Sequence, residues 1–242
     1  MSSAGPKGLS IVLPVHNEAP VLEDAVARMT AALAPLSANL EILIVENGSR
    51  DATLEIARRL AGRDARLRVE TLPVGDYGQA LQYGIQVARF DKVVIFNVDY
   101  WSADFVRIAM AGLDAADMVL GSKVLGRDRR PIVRRMITLS FNAFLRQFYG
   151  FAGSDTHGMK AFRRHAAGHL AADCVSKGWT FDTELVLRAQ RAGVTIVETA
   201  VDTMEIRPPG WGAIIARTPD VFRNLWRMTD ALRSVPRAGR KA

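Results

Sequence analysis

The stretch KVVIFNVD (Lys92–Asp99) joins a run of apolar residues to a polar Asn-Val-Asp triplet. A short apolar run rich in β-branched residues is typical of a buried strand. The triplet places amide and carboxylate oxygens at the end of that strand, and sheets of parallel strands bind ligands beyond the strands' carboxyl ends. The stretch therefore predicts an α/β fold with a ligand site after this strand.

Two earlier stretches end in the same way. LSIVLPVHNE (Leu9–Glu18) and LEILIVENGSRD (Leu40–Asp51) each pass from apolar residues into acids, amides and turn formers. Because the carboxyl ends of parallel strands meet at one edge of a sheet, we expect the three polar ends to line a shared pocket.

Helical patterns separate the predicted strands. We expect one strand that begins at Leu9 and further strands at 40–46, 67–72, 92–98 and 117–123. Helices alternate with these strands. The first helix is expected to be capped by Asn17, and the others cover 51–60, 78–88 and 104–113. Later segments predict a long amphipathic helix at 131–150, a helix at 182–192 and a strand at 195–201. Helix-length crossovers between strands predict a mostly parallel, Rossmann-like sheet with helices on both faces.

The size and composition of the chain are those of one globular unit. With 242 residues, 49% of them hydrophobic, it can form one large domain, which we place at 9–225 between a flexible N-terminus at 1–8 and a basic tail at 226–242. The single cysteine, Cys174, cannot form an internal disulfide, and Met1–Lys7 contains no signal core. Both features favour a cytoplasmic location.

The formal net charge of +7 indicates an anionic partner. Arginines are mixed with aromatic and aliphatic residues at 127–151 and 222–241, a mixture that suits peripheral contact with the inner face of an anionic membrane. An amphipathic core helix with a solvated basic face would show the same pattern, so both interpretations stay open. Nucleic acid is not expected as a partner, because the sequence contains no recognised binding module.

The signatures of two common nucleotide-binding folds are missing. No Gly-x-Gly-x-x-Gly follows the first strand and no Walker lysine loop is present, which excludes the usual dinucleotide and NTPase sites. The turn at His16–Glu18 is instead rich in acid and amide groups, which can hold a base or a ribose by hydrogen bonds.

Motifs in both halves of the chain resemble one enzyme family. PVHNE (Pro14–Glu18), VENGSRDAT (Val45–Thr53) and NVD (Asn97–Asp99) look like the nucleotide-sugar-binding half of a family 2 glycosyltransferase with the GT-A fold. Three later motifs resemble the dolichol-phosphate mannose synthase branch, whose acceptor is a polyprenyl phosphate: GSK (Gly121–Lys123), DTHGMKAFR (Asp155–Arg163) and GWTFDTEL (Gly178–Leu185). The resemblance spans residues 9–225. It implies that the donor is a sugar linked to a nucleoside diphosphate, either GDP or UDP.

On the donor side, the resemblance implies that Pro14, His16 and Glu18 border the nucleoside. Glu46, where the family usually has Asp, would hydrogen-bond the base. The carboxylate is retained, but the side chain reaches one methylene further.

The Asn97–Asp99 triplet stands in place of the family's Asp-x-Asp, whose carboxylates bind a divalent ion that bridges the diphosphate. Mg²⁺ is usually held by one or two carboxylates, while phosphate oxygens and waters complete its octahedron. We therefore expect Asp99 to bind Mg²⁺ or Mn²⁺ directly and Asn97 to orient the sugar or a water. The lost charge leaves a metal-poor or inactive relative as an alternative.

Three residues are expected to contact phosphate. Lys123 lies where the family commonly has arginine. Arg134 and Thr138 resemble the family's arginine and hydroxyl four residues apart, a spacing of one helical turn that places both on one helix face. The planar fork of arginine matches a phosphate group, which makes Arg134 the expected contact of the acceptor phosphate, with Thr138 beside it.

Four further residues complete the expected site. The resemblance implies that Asp155 contacts the donor sugar or shapes the site, and that Arg207 closes over the phosphates. A hydroxyl acceptor would need Asp182 or Glu184 as a general base. A phosphate monoester is already anionic, so with that acceptor these two acids would position sugar hydroxyls or the loop.

Together these features predict an inverting glycosyltransferase that moves a sugar from a nucleoside diphosphate to a polyprenyl phosphate at the cytoplasmic membrane face. Two alternatives stay open: a family 2 transferase with a hydroxyl acceptor, and a non-catalytic relative that binds nucleotide sugars.

Overall fold

The computed structural model describes residues 7–36, 39–202, 223–233 and 235. The strands are β1 (Leu9–Val15), β2 (Leu40–Asn47), β3 (Leu67–Leu72), β4 (Lys92–Ile95), β5 (Met118–Ser122), β6 (Met159–Arg163) and β7 (Ile196–Ala200). The helices are α1 (Ala19–Leu33), α2 (Thr53–Ala61), α3 (Tyr77–Val87), α4 (Ala103–Gly112), α5 (Ile132–Tyr149), α6 (Arg164–Ala172) and α7 (Thr180–Arg191). Residues 223–233 are also helical.

All seven strands belong to one sheet in the order β3-β2-β1-β4-β6-β5-β7. The pairs β1–β2, β1–β4, β2–β3 and β5–β7 are parallel, whereas β6 runs antiparallel between β4 and β5. The predicted mostly parallel sheet with helices on both faces is therefore confirmed.

Both faces of the sheet are buried, which explains the unbroken apolar runs. In β1, Val12 packs with residues of α3 and α7 on one face. Its neighbours Ile11 and Leu13 pack with residues of α1 and α4 on the other face. Because successive side chains of a strand point to opposite faces, each apolar residue of β1 contributes to one of two cores.

The antiparallel strand β6 and the helix α6 were not predicted. The five residues of β6, MKAFR, carry two cationic side chains and show no apolar run, so their pattern did not indicate a strand. Tertiary pairing holds them in the sheet, where Lys160 lies in register with Ile95 on one side and Leu120 on the other.

The C-terminal helical residues extend the core beyond the predicted domain end at 225. Leu225, Met228 and Leu232 are buried in the same apolar cluster as α5 and α7. Residues 1–6, 236–242 and the predicted phosphate contact Arg207 lie outside the described residues. No helix in the described ranges combines the length and apolar character needed to cross a bilayer.

The packing of α3 on the sheet depends on Gly84. A Cβ placed there would lie 2.5 Å from Cγ1 of Val12 and 2.9 Å from Cγ2 of Val45. We expect Gly84→Ala to lower the free energy of unfolding by about 1–2 kcal/mol, because overpacking outweighs the better helix propensity of alanine. Urea denaturation measures this change.

Gly62→Ala is the matched control. At Gly62, the helical C-cap of α2, an added Cβ would meet only backbone oxygens, at an ordinary 3.6 Å. Equal unfolding midpoints for the two variants would contradict the close packing of α3.

Candidate active site

The loop after β1 is held by side chains of the loop after β2. Asn17 adopts a left-handed backbone with φ 56°, and its Oδ1 accepts a hydrogen bond of 2.8 Å from the backbone N–H of Arg50. Asp51 in that loop and Thr53 at the start of α2 bind the N–H groups that open α1: Glu18 N–H donates to Thr53 Oγ1 at 2.8 Å and Ala19 N–H to Asp51 Oδ2 at 3.2 Å. The prediction that Asn17 caps α1 is therefore wrong, because the cap comes from Asp51 and Thr53.

The predicted nucleoside residues lie around these two loops. Glu46 is buried, and its Oε1 accepts a 2.5 Å hydrogen bond from Ser49 N–H. His16 Nδ1 donates to the carbonyl of Asn47 at 2.8 Å, which leaves Nε2 as the acceptor nitrogen. Pro14 is buried within β1, in register with Val45. The contacts of Pro14, His16, Glu18 and Glu46 with a nucleoside stay predictions.

A tight turn carries the Asn-Val-Asp triplet. Asn97 and Tyr100 exchange backbone hydrogen bonds of 3.2 and 3.1 Å, so the chain leaves the sheet after Ile95 and not after Val98 as predicted. Asp99 is exposed at this turn. The Asn97 side chain instead lies near the hydroxyl of Tyr77 at the start of α3, where burial and Asp182 raise the pKa of Tyr77 and Asn97 partly opposes that rise.

Two buried lysine–aspartate pairs lie beside this turn. Lys123 Nζ is 2.8 Å from Asp155 Oδ2, and Lys160 Nζ is 2.9 Å from Asp182 Oδ1. Burial raises the pKa of Asp155, but the charge and hydrogen bonds of Lys123 outweigh burial and keep this pKa below its usual value. Tyr77 donates to Asp182 Oδ2 at 3.2 Å, so the second pair lies close to the Asn97 side chain.

Lys160 is a site residue that the sequence did not assign. Its position within the Asp155–Arg163 motif was recognised, but without β6 nothing indicated that its side chain would meet Asp182. The expected contact of Lys123 with phosphate stays a prediction, since its ammonium is paired with Asp155 and lies 5.8 Å from the Tyr100 ring centroid.

Glu184 is buried and fixes the loop that contains Val175 and Ser176. Its side chain is 0% exposed. Its carboxylate accepts hydrogen bonds from the N–H groups of Val175 (3.1 Å) and Ser176 (2.7 Å) and from Arg188 Nε (2.7 Å). These contacts favour the loop-positioning role that the sequence allowed over a catalytic one.

The predicted pair on α5 shares one helix face. Thr138 Oγ1 donates to the carbonyl of Arg134 at 3.1 Å and accepts from Arg130 at 3.2 Å. Arg130 also pairs with Asp128 at 2.7 Å, so the arginines of this segment are organised by a local network. Arg134 is partly buried, whereas the adjacent Arg135 is exposed.

A family model that matches about two thirds of the chain decides to which sequence family the protein belongs. A family model described as glycosyl transferase family 2 matches residues 10–171. The chain belongs to glycosyl transferase family 2. Its fold agrees with this assignment: a glucosyl-3-phosphoglycerate synthase from Mycobacterium tuberculosis, solved with Mn²⁺, UDP and phosphoglyceric acid, superposes with a TM-score of 0.70 at 21% identity, covering 96% of this chain and 81% of that one.

Three curated relatives of this family 2 member are informative. Glycosyltransferase AglD of Haloferax volcanii is 34% identical over 80% of this chain and 32% of its own length. An undecaprenyl-phosphate 4-deoxy-4-formamido-L-arabinose transferase of Aeromonas hydrophila is 29% identical over 68% of this chain and 52% of its own length. A dolichyl-phosphate beta-glucosyltransferase of Dictyostelium discoideum is 25% identical over 82% of this chain and 67% of its own length. The chain spans about a third to a half of the length of the first two of these relatives.

The Asn97–Asp99 turn offers one exposed carboxylate, that of Asp99, to a divalent cation. Within the described ranges, no three His, Cys, Asp or Glu side chains form a metal-binding cluster. Asp99 is exposed and could supply one carboxylate, while diphosphate oxygens and waters supply the remaining ligands, as Mg²⁺ prefers.

The metal role of Asp99 can be tested by nucleotide binding. We expect Asp99→Asn to abolish the Mn²⁺-dependent part of UDP or GDP binding, because the amide lacks the charge that holds the cation. Titration calorimetry with and without Mn²⁺ measures the loss. Asp104→Asn, at an exposed carboxylate on α4 that pairs with Arg107, should bind as the wild type does. Undiminished Mn²⁺ dependence in Asp99→Asn would exclude this residue as the ligand.

Proposed function

We propose that the chain transfers a sugar from a nucleoside diphosphate sugar, linked to GDP or UDP, to a polyprenyl phosphate at a membrane surface. One observation carries the choice of acceptor: both acids that could serve a hydroxyl acceptor as general base are held in ion pairs. Asp182 is paired with Lys160 and bonded by Tyr77, and Glu184 is paired with Arg188.

A general base must be able to accept the proton of its substrate. Proton transfer to Asp182 or Glu184 would weaken a buried ion pair, which is costly in a low-dielectric interior. A phosphate monoester requires no such step, because its oxygen is already a charged nucleophile near neutral pH. The paired acids therefore favour a phosphate acceptor, and the names of the undecaprenyl-phosphate and dolichyl-phosphate relatives support the same class.

In the proposed reaction, an oxygen of the acceptor phosphate attacks the anomeric carbon while the bond to the nucleoside diphosphate breaks on the opposite face. This single displacement inverts the anomeric centre. A divalent cation bound at Asp99 would neutralise charge on the departing diphosphate. The buried pair of Lys123 and Asp155 keeps the loop before β6 fixed against the end of β5, which limits the positions open to the sugar.

The acceptor phosphate is assigned to the first turns of α5. Arg134 offers a planar pair of donors to phosphate oxygens. It lies one turn before Thr138, and the exposed Arg129 and Arg135 make the nearby surface basic.

The same part of α5 offers an apolar surface to a membrane. Five large apolar residues are exposed near its N-terminus, with Ile132 at 70% and Met136 at 62%; the others are Val133, Ile137 and Leu139. The exposed residues Arg129 and Arg135 flank them. Apolar groups beside arginines suit the interface of an anionic bilayer, where a lipid phosphate would be found.

Replacing Arg134 tests the acceptor. We expect Arg134→Ala to raise the KM for polyprenyl phosphate or lower kcat by about tenfold or more, since a lost hydrogen bond to a charged group costs roughly 1.5–3 kcal/mol. Transfer is measured in detergent, so that membrane binding does not contribute, and affinity for the nucleotide sugar should stay unchanged.

Arg135→Ala is the control for charge on the same helical turn and should transfer normally. If Arg134→Ala lost affinity for the nucleotide sugar to the same extent as for the acceptor, this arginine would belong to the nucleotide site. Transfer to a sugar hydroxyl but not to a lipid phosphate would refute the proposed acceptor, and absence of any transfer would favour a non-catalytic relative.

The membrane contact is tested with vesicles. We expect Met136→Asp to weaken sedimentation with anionic vesicles by about tenfold, because it removes apolar burial and adds a charge that the lipids repel. Ile108→Asp on α4, which packs on the other face of the sheet, replaces an isoleucine that is 46% exposed and should have no effect. Equal binding by both variants would show that α5 is not the contact.

A further inference from the structure

His157 lies in an aromatic slot beside the two lysine–aspartate pairs. Its ring centroid is 5.6 Å from that of Phe141 on α5 and 5.5 Å from that of Trp179, which precedes α7. Its backbone N–H donates to Asp155 Oδ1 at 2.9 Å. The ring is therefore held by packing on two sides and by its own main chain.

The two ring nitrogens have different surroundings. Nδ1 lies 3.1 Å from Thr156 Oγ1, which in turn lies 3.0 Å from Thr183 Oγ1. Nε2 is buried, and no described residue hydrogen-bonds it. A buried polar atom without a partner is costly, so its retention beside a ligand site indicates that the ligand supplies the partner.

The chemistry around His157 favours a neutral ligand group. Burial lowers the pKa of His157 to about 4, with the charge of Asp182 opposing this shift and those of Lys123 and Lys160 adding to it. The imidazole is therefore neutral at physiological pH. The two lysines and the aspartates 155 and 182 cancel in charge, so the surroundings of Nε2 are polar without an excess that would attract phosphate.

Trp179 adds an apolar wall to this polar position. Its side chain is 45% exposed although one edge contacts His157. A sugar ring has hydroxyl groups at its rim and an apolar face, and aromatic side chains commonly line sites of this mixed character.

We propose that Nε2 of His157 hydrogen-bonds a hydroxyl of the donor sugar and that Trp179 packs beside the same ring, so that His157 selects the sugar. The proposal rests on the proposed function, since it assumes a nucleotide sugar as donor. It assigns His157 a binding role in the ground state and no proton transfer.

The test compares the binding of a nucleotide sugar with the binding of the same nucleotide without its sugar. UDP-glucose and GDP-mannose, each with Mn²⁺, are titrated into the full chain, followed by UDP or GDP alone. In His157→Phe, which keeps an aromatic ring but no nitrogen, affinity for the bound nucleotide sugar should fall about tenfold while affinity for the free nucleotide stays unchanged. His157→Gln, which keeps a hydrogen-bonding group, should recover part of the loss.

Several results separate this role from a structural one. His165→Phe, at an exposed histidine paired with Asp91, is the control and should bind both ligands normally. The melting temperature of His157→Phe should match that of the wild type, because loss of the contact between Nδ1 and Thr156 is offset by removal of the unpaired buried Nε2. Parallel loss of sugar and free nucleotide binding, or no loss, would overturn the proposal. Failure of the wild type to bind either nucleotide sugar would refute the donor assignment itself, whereas failure to use lipid phosphate would leave this result standing.

Discussion

The candidate active site depends on two charged pairs that are buried at the carboxyl edge of the sheet. Isolated charges are rarely tolerated in a protein interior, so the lysines at 123 and 160 require their aspartate partners. Each pair joins elements that are distant in sequence: Lys123 connects β5 to the loop before β6, and Lys160 connects β6 to α7. Removing one partner of such a pair typically costs about 3–5 kcal/mol, because the other charge is left buried.

These pairs also limit the chemistry of the site. Under the proposed function, Asp182 acts through its ion pair with Lys160 and does not need to accept a proton from the acceptor. The hydrogen bond from Tyr77 to Asp182 brings this network close to Asn97. The amide at position 97 therefore lies beside Tyr77 within the protein, while the exposed Asp99 stays available to a ligand. The two buried pairs are thus neutral overall, and the exposed carboxylate of Asp99 carries the charge at the turn.

The two halves of helix α5 have different environments. Its C-terminal half is anchored by Leu145, which is fully buried, and by Phe141 and Phe144, which pack against the same core. Its N-terminal half exposes apolar side chains next to arginines. A single helix is thus a core element at one end and exposes apolar side chains at the other, and contact of that exposed end with a membrane stays a prediction.

The sequence by itself determined the parallel strands, the helices between them and the edge where polar side chains collect, because these follow from local apolar periodicity. It also indicated Asp99 and the shared face of Arg134 and Thr138, since strand ends and helical turns fix such positions. Tertiary structure alone decided the rest. The antiparallel insertion of β6, the capping of α1 by Asp51 and Thr53 and the pairing of Lys160 with Asp182 all join residues distant in sequence. Local pattern carries no information on these contacts, because their energies arise only when separate elements pack and exclude water.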